Sequence, residues 1–215
     1  MHAGLVPVRR PDGAKSRLAA LGAGARARIV AGLLDDALAL CRSTPSLRWW
    51  VLSDDAGVLR RATAVGLGAL ADEAPGLNAA LAAALKRLGR AGAASATILP
   101  GDVPLATPDD VDAIVDAGRR APVVVVPSRD GGTNALHLRP PGALEPSFGP
   151  NSCAQHLRRA EERGLATELL RLPRVELDVD TPEDVAALLD STTSALQRQT
   201  VARLLHSQAP VGGGS

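Results

Sequence analysis

Three aspartates sit where neighbouring residues give a carboxylate little to bond. Asp102 lies in Leu99-Pro100-Gly101-Asp102-Val103-Pro104-Leu105, an acid in apolar surroundings between two stiffening prolines, and Asp178 and Asp180 lie two apart in Glu176-Leu177-Asp178-Val179-Asp180. A carboxylate at a strand end among apolar neighbours must find a donor or a cation. Oxygen ligands of this kind suit a hard cation such as Mg²⁺. Residues two apart in an extended segment face the same side, so Asp178 and Asp180 can converge on one ion. Plainer roles compete: Asp102 can simply fix a turn, and Asp180 can cap the helix that begins after Pro182.

Opposite in charge is Pro11-Asp12-Gly13-Ala14-Lys15-Ser16-Arg17-Leu18, a glycine-containing loop with two cations that leads into a helix. Loop and helix N–H groups, with Lys15 and Arg17, could neutralise several oxygens of a polyphosphate. The GxxxxGK[ST] spacing of the nucleotide P-loop is missing, and an ordinary basic surface loop is the alternative. A further pair of segments is Asp130-Gly131-Gly132-Thr133-Asn134 and Ser147-Phe148-Gly149-Pro150-Asn151-Ser152. Gly-Gly-Thr allows close backbone approach to a ligand with a hydroxyl to bond it. Ser152 is placed to cap a helix through His156, Leu157 and Ala160, whose N-terminus could hold an anion. A hairpin turn at Asp130-Gly131 and a plain cap at Ser152 are the bland readings.

Other residues carry less. His156 reads as a packed or surface histidine, and Cys153 has no evident base partner. Trp49 and Trp50 alternate across a strand, which sends one into the core. Two loose matches to the dinucleotide-binding glycine pattern, at Gly22 and Gly66, lack the strand-to-helix setting that the pattern requires.

The elements that must position these groups follow from periodicity. Apolar runs at Leu5–Val8, Leu47–Ser53, Ala96–Pro100 and Val123–Pro127 read as strands, the last two of the buried parallel type. Asn134–Arg139 alternates polar and apolar residues, which predicts a strand with one wet face. Ile29, Leu33, Leu34, Ala37 and Leu40 make one helical stripe, and Leu77, Leu81, Leu85 and Leu88 another. Thr107-Pro108-Asp109-Asp110 and Thr181-Pro182-Glu183-Asp184 are two helix starts of the same chemistry: Thr as cap, Pro in the first turn, acids at the positive end of the dipole. Strands alternating with helices give a single α/β domain with a mostly parallel sheet. In such sheets ligands bind beyond the carboxyl ends of the strands, which is where all four segments fall.

Composition narrows the partners. There are 24 basic and 23 acidic residues, two Trp, one Phe and no Tyr. Balanced charge argues against a general nucleic-acid or membrane-surface binder, and scarce aromatics argue against base-stacking platforms. Two cysteines without a CxxC indicate neither a disulfide framework nor a structural zinc site. No apolar run approaches a membrane span, and no signal-peptide core precedes Arg9-Arg10; a soluble cytoplasmic protein is expected. Residues 1–208 are read as the domain and 209–215, ending in VGGGS, as a flexible tail.

With these segments taken together, the sequence resembles the guanylyltransferases of coenzyme F-420 biosynthesis, which act on 2-phospho-L-lactate or phosphoenolpyruvate. The pieces are LVPV and GAKSRL within 5–18, GLNAAL at 76–81, LPGDVPL at 99–105, GGTNAL at 131–136, FGPNSCAQH at 148–156 and LDVDTPEDV at 177–185. They occur in the family's order across nearly the whole chain. The family is similar to the molybdenum-cofactor nucleotidyltransferases. The resemblance therefore implies a three-layer α/β/α, Rossmann-like fold of the glycosyltransferase-A type.

It further implies that Asp102, Asp178 and Asp180 hold Mg²⁺, and that Thr133, Gly149 and Ser152 bind a phosphorylated three-carbon acid. Gly13, Lys15 and Arg17 would face the GTP triphosphate, Lys15 and Arg17 acting in catalysis with Asp102, and Gly76 and Asn78 would line the nucleoside site. One departure stands out: members of the family often carry Lys near the end of the first strand, where this chain has Arg9 and Arg10. Arg keeps the charge and loses the point geometry of Lys. The implied reaction transfers GMP from GTP to phosphoenolpyruvate, with coupling to the transferase that consumes the product. The alternatives are 2-phospho-L-lactate or 3-phosphoglycerate as acceptor, a molybdopterin or sugar-phosphate nucleotidyltransferase, and a non-catalytic nucleotide-binding subunit.

Overall fold

Short apolar runs too brief for helices and long stretches with a single apolar stripe alternate along the chain. They fold as strands sandwiched between helices. The computed structural model describes residues 1–8 and 16–190. Its elements are β1 (His2–Pro7), a 3-10 segment (Ser16–Leu21), α1 (Ala23–Ser43), β2 (Arg48–Ser53), α2 (Ala56–Ala64), β3 (Gly68–Ala71), α3 (Leu77–Arg90), β4 (Ser95–Ile98), α4 (Pro108–Arg120), β5 (Val123–Pro127), β6 (Thr133–Leu138), α5 (Ser152–Glu162), β7 (Thr167–Leu169) and α6 (Pro182–Asp190). The sheet runs β3-β2-β1-β4-β6-β5-β7, and β6 alone is antiparallel to its neighbours β4 and β5.

The two faces of the sheet build two cores. Ala3, Leu5, Ile98, Val125 and Leu136 pack with Leu81, Leu85 and Leu88 of α3 and Ala160 of α5. Val6, Trp49, Val126 and Ala135 face Cys41 of α1 and Val111, Ile114 and Val115 of α4, while Val51 meets Leu34, Val58 and Ala62 of α1 and α2. This is the expected three-layer arrangement. Trp49 is buried and Trp50 partly so, as their alternation demands. Each indole lies over the glycine paired with it across the sheet, Gly4 in β1 and Gly68 in β3. A β-carbon at either glycine would fall within 2.2 Å of its tryptophan, so only glycine fits there.

Both expected helix starts form as the sequence predicts. Thr107 Oγ1 accepts from the Asp110 N–H while the Asp110 carboxylate accepts from the Thr107 N–H, a capping box at α4. Thr181 and Asp184 make the same exchange at α6. The cap of α6 is thus Thr181, and the plainer role considered for Asp180 falls to its neighbour.

Two expectations need correction. The strand at Asn134–Arg139 has no wet face: every residue of β6 is buried. Its reversed direction places it between β4 and β5 in the middle of the sheet, covered on both sides. The polar residues that produced the alternation are bonded internally; His137 Nδ1 pairs with Thr97 Oγ1 at 2.8 Å, and its ring packs against Gly118 of α4, where a β-carbon would clash at 2.2 Å. Burial pushes His137 down to about 4, so it is neutral. Secondly, α2, β3 and β7 have no counterpart in the sequence reading. β3 is four residues of GALA and β7 three residues of TEL, too short to show a period. The tail expected at 209–215 lies outside the described residues. Among the described residues no helix is long and apolar enough to cross a membrane.

Candidate active site

Strand reversal brings the polar residues to one edge. The parallel strands β1, β4 and β5 end there, and β6, running back, begins there with Thr133 and Asn134. The β5–β6 connection is the hairpin turn considered above: Ser128 N–H donates to the Gly132 carbonyl and Gly131 N–H to the Ser128 carbonyl. Asp130 lies inside it, accepting from the Ser128 hydroxyl and from the Gly132 N–H at 3.1 Å. Those bonds, the hydroxyl foremost, hold its carboxyl below the usual range, with a smaller contribution from Arg17. Arg17 therefore stands close enough to the hairpin to act on its charge. Gly13 and Lys15, and with them Arg9 and Arg10, lie outside the described residues.

The acidic side is built on a buried underlay. Leu177 and Val179 are 2% and 0% exposed and pack with Leu18, Ile29, Leu33, Leu105 and Leu188. Their alternation turns Asp178 and Asp180 the other way, as an extended segment requires. The Val179 N–H donates to the Asp102 carbonyl at 3.0 Å, which fastens this segment to the loop after β4. Further back, Arg174 makes a bidentate pair with Asp110 of α4 at 2.7 and 2.8 Å, and Arg171 pairs with Glu176.

Asp178 is pushed up to about 6, first by burial and then by the charges of Asp102 and Asp180, against the Asn134 amide that donates to it at 3.1 Å. The three predicted acids therefore do come together electrostatically. Among the described residues, however, no three side chains of His, Cys, Asp or Glu are gathered tightly enough to make a ready metal cluster.

Thr133, Gly149 and Ser152 also meet. Ser152 and Thr133 hydroxyls are 3.0 Å apart, and Ser152 is completely buried. The loop between them bends through Gly149, at φ +133°, and Asn151, at φ +56°, and Asn151 rather than Ser152 is the residue before α5. Ser152 is thus the first residue of the helix and not its cap. The first N–H groups of α5 are also less available than expected. Ser152 donates to the Gly149 carbonyl and Cys153 to the Gly131 carbonyl.

Asn78, at the start of α3 after Gly76 (φ +94°), uses its amide on this loop: Oδ1 accepts from the Phe148 N–H at 2.7 Å and Nδ2 donates to the Phe148 carbonyl at 3.0 Å. Two residues do more here than the sequence reading assigns them. Asn134 joins the acids to β6, and His156, packed as expected, lies beneath Thr133. A polar pair at the mouth of an otherwise apolar strand was the available signal for Asn134; a histidine on an amphipathic helix gives none.

Asp102, Asp178, Asp180, Arg17 and the paired hydroxyls stand beyond the carboxyl edge of a mostly parallel sheet with one strand reversed, the fold of the glycosyltransferase-A-like nucleotidyltransferases. A crystal structure from Desulfovibrio desulfuricans G20 assigned to the nucleotide-diphospho-sugar transferases superposes with a TM-score of 0.80 at 17% identity, covering 94% of this chain and 93% of that one. Residues 2–202 match the family model described as "Guanylyl transferase CofC like", and the chain belongs to that family. It is 41% identical over 196 residues to the phosphoenolpyruvate guanylyltransferase of Conexibacter woesei, covering 88% of each chain. It is equally 41% identical, over 194 residues, to the 3-phospho-D-glycerate guanylyltransferase of Phenylobacterium zucineum, covering 86% of this chain and 88% of that one.

Proposed function

We propose that this enzyme transfers GMP from GTP to phosphoenolpyruvate in coenzyme F-420 biosynthesis. A phosphate oxygen of the acid attacks the α-phosphorus of GTP, the bond from that phosphorus to the bridging α–β oxygen breaks, and pyrophosphate leaves with enolpyruvyl-diphospho-guanosine as the other product. The names of its relatives support the reaction. The observation that carries it in this chain is the pairing of Thr133 and Asn134. Consecutive residues of one strand, with side chains on opposite faces, join the Ser152 hydroxyl on one side and the Asp178 carboxylate on the other. An acceptor anion and the phosphates of a nucleotide would meet across that step.

The donor set fits a hard divalent cation. Asp102, Asp178 and Asp180 offer only oxygen, and the repulsion that adds to burial in raising Asp178 is what a cation between them would relieve. Mg²⁺ bound there would neutralise phosphate charge and polarise the reacting phosphorus. The chain's own groups do the rest. Arg17, with Lys15, draws charge toward the departing pyrophosphate. Thr133, Gly149 and Ser152 hold the acceptor in line. A phosphate is already ionised near neutral pH, so no general base is needed, in keeping with both buried histidines being engaged in internal hydrogen bonds.

Phosphoenolpyruvate is preferred over 2-phospho-L-lactate because the first relatives carry that name. The 22 arginines against Lys15 and Lys86 also indicate a GC-rich bacterial source. The 3-phosphoglycerate relative keeps that acid as the second reading. Pyrophosphate release measured with GTP and Mg²⁺ and each of the three acids in turn tests the choice. Phosphoenolpyruvate should give the largest kcat/KM, and a larger value with either other acid reassigns the acceptor.

A further inference from the structure

The hydrogen bonds around His156 can be counted proton by proton. His156 is completely buried and Thr133 is 5% exposed. Nε2 of the imidazole accepts the Ser147 N–H at 2.9 Å. An N–H can only donate, so Nε2 carries no proton, and a neutral ring then carries its single proton on Nδ1. Burial, with a smaller effect of Arg159, lowers the group to about 4, which keeps the ring neutral at physiological pH. Nδ1 lies 3.0 Å from Thr133 Oγ1, so the imidazole is the donor and Thr133 the acceptor.

Thr133 and Ser152 together own two hydroxyl protons. One is used in the 3.0 Å bond between them. Because His156 donates rather than accepts, the other has no taker among these groups. Were the proton on Nε2 instead, Nδ1 would accept from Thr133 and both hydroxyl protons would be consumed. The pair would then present only lone pairs to a ligand. An acceptor-only pair repels a phosphate or carboxylate, whereas a pair with one spare O–H binds it.

We propose that His156 is a positioning residue that sets the proton inventory of the acceptor site: by donating through Nδ1 it leaves the Thr133–Ser152 pair one hydroxyl proton to give to the anionic acid. The same ring also fixes the loop that carries Gly149. It anchors Ser147 through Nε2 and meets the edge of Phe148 with ring centres 5.5 Å apart at 71°. The inference rests on the reading that Thr133 and Ser152 contact the acceptor.

Nitrogen NMR of the wild-type protein tests the tautomer without any substrate. The expected signature is a protonated Nδ1 and an unprotonated Nε2 at His156, and a protonated Nε2 overturns the inference. Kinetics test the consequence. His156→Asn can place an amide N–H near the Nδ1 position, which keeps the spare hydroxyl proton, and should leave KM for phosphoenolpyruvate within about threefold of wild type. His156→Asp places there a carboxylate that accepts from Thr133 and consumes that proton, and should raise KM for phosphoenolpyruvate about tenfold or more while KM for GTP stays within about twofold, the scale of one lost bond to a charged group. An equal rise in the two variants, or none in Asp, overturns the proposal, and the tautomer measurement decides if the Asp variant does not fold. Absence of turnover in the wild-type enzyme with every acid would instead overturn the guanylyltransferase reading, and the tautomer measurement is independent of it.

Discussion

Asn78 and Phe148, seventy residues apart, are joined by a reciprocal pair of hydrogen bonds between one side-chain amide and one peptide group. That clamp ties the start of α3, on the proposed nucleotide side, to the loop that carries Gly149 and leads to Ser152 on the proposed acceptor side. Asn78→Ala breaks both bonds and leaves a partly buried peptide group without them, at a cost of about 1–3 kcal/mol. Urea denaturation should show this loss, and KM for the acid should rise more than kcat falls. Asn78→Asp keeps only the acceptor and should fall between.

Asp178 sits above the ordinary carboxylate value of 3.8, at about 6. A raised acid favours folding while it is protonated, so its contribution is present below about pH 4 and is lost as pH rises through about 6. Asp178→Asn removes that loss and can still accept from Asn134. At pH 7.5 without divalent cations, the variant should be about 1–2 kcal/mol more stable than wild type. The two should melt together near pH 4, and the variant should be inactive.

In the proposed site protons and Mg²⁺ would compete for the Asp178 carboxylate. With limiting Mg²⁺, kcat/KM should fall as pH drops from 7 to 5, and excess Mg²⁺ should move that limb to lower pH. Thermal melts give the same linkage from the other side. Mg²⁺ should raise the wild-type Tm at pH 7.5, by about 2.7 kcal/mol of stabilisation at a hundredfold excess over its Kd, and leave Asp178→Asn unmoved.

Asp110 is 2% exposed and holds Arg174 through two bonds while capping α4. Asp110→Ala removes the cap and the ion pair but leaves Arg174 half exposed, where water solvates it, so it should cost about 1–2 kcal/mol. Arg174→Ala leaves the buried Asp110 carboxylate held by Thr107 alone and should cost more, about 3 kcal/mol. Denaturation midpoints of the two variants check the order.

What the sequence disclosed is uneven for physical reasons. The long stripes at Ile29–Leu40 and Leu77–Leu88, the VVVV strand and the two Thr-Pro-acid helix starts are local signals, and each forms where it was read. Leu177-Asp178-Val179-Asp180 likewise declares its own alternation. The β6 strand misleads because alternation reports polarity and not exposure: His137 and Asn134 are polar and buried, paired with Thr97 and Asp178 from distant parts of the chain. Ser152 was read as a cap because its residue type suits one, whereas the left-handed Asn151 takes that place. His156 reads as a packed or surface histidine and is packed, but its partners are not legible, since they depend on Ser147 and Thr133 meeting it in three dimensions.

In the proposed reaction this chain moves GMP from GTP onto a phosphorylated acid with Asp102, Asp178 and Asp180 at the reacting phosphates. The direct measurement is the fate of α-labelled GTP incubated with Mg²⁺ and phosphoenolpyruvate, comparing wild type with Asp102→Ala. This substitution leaves in place the backbone carbonyl that holds Val179. Label should appear in a guanylyl-acid diphosphate with one pyrophosphate released per transfer, and Asp102→Ala should lose at least about 10²–10³-fold with an unchanged fold. Label that stays in GTP or appears only as GMP in the wild type, or near-normal transfer by Asp102→Ala, would contradict the proposal.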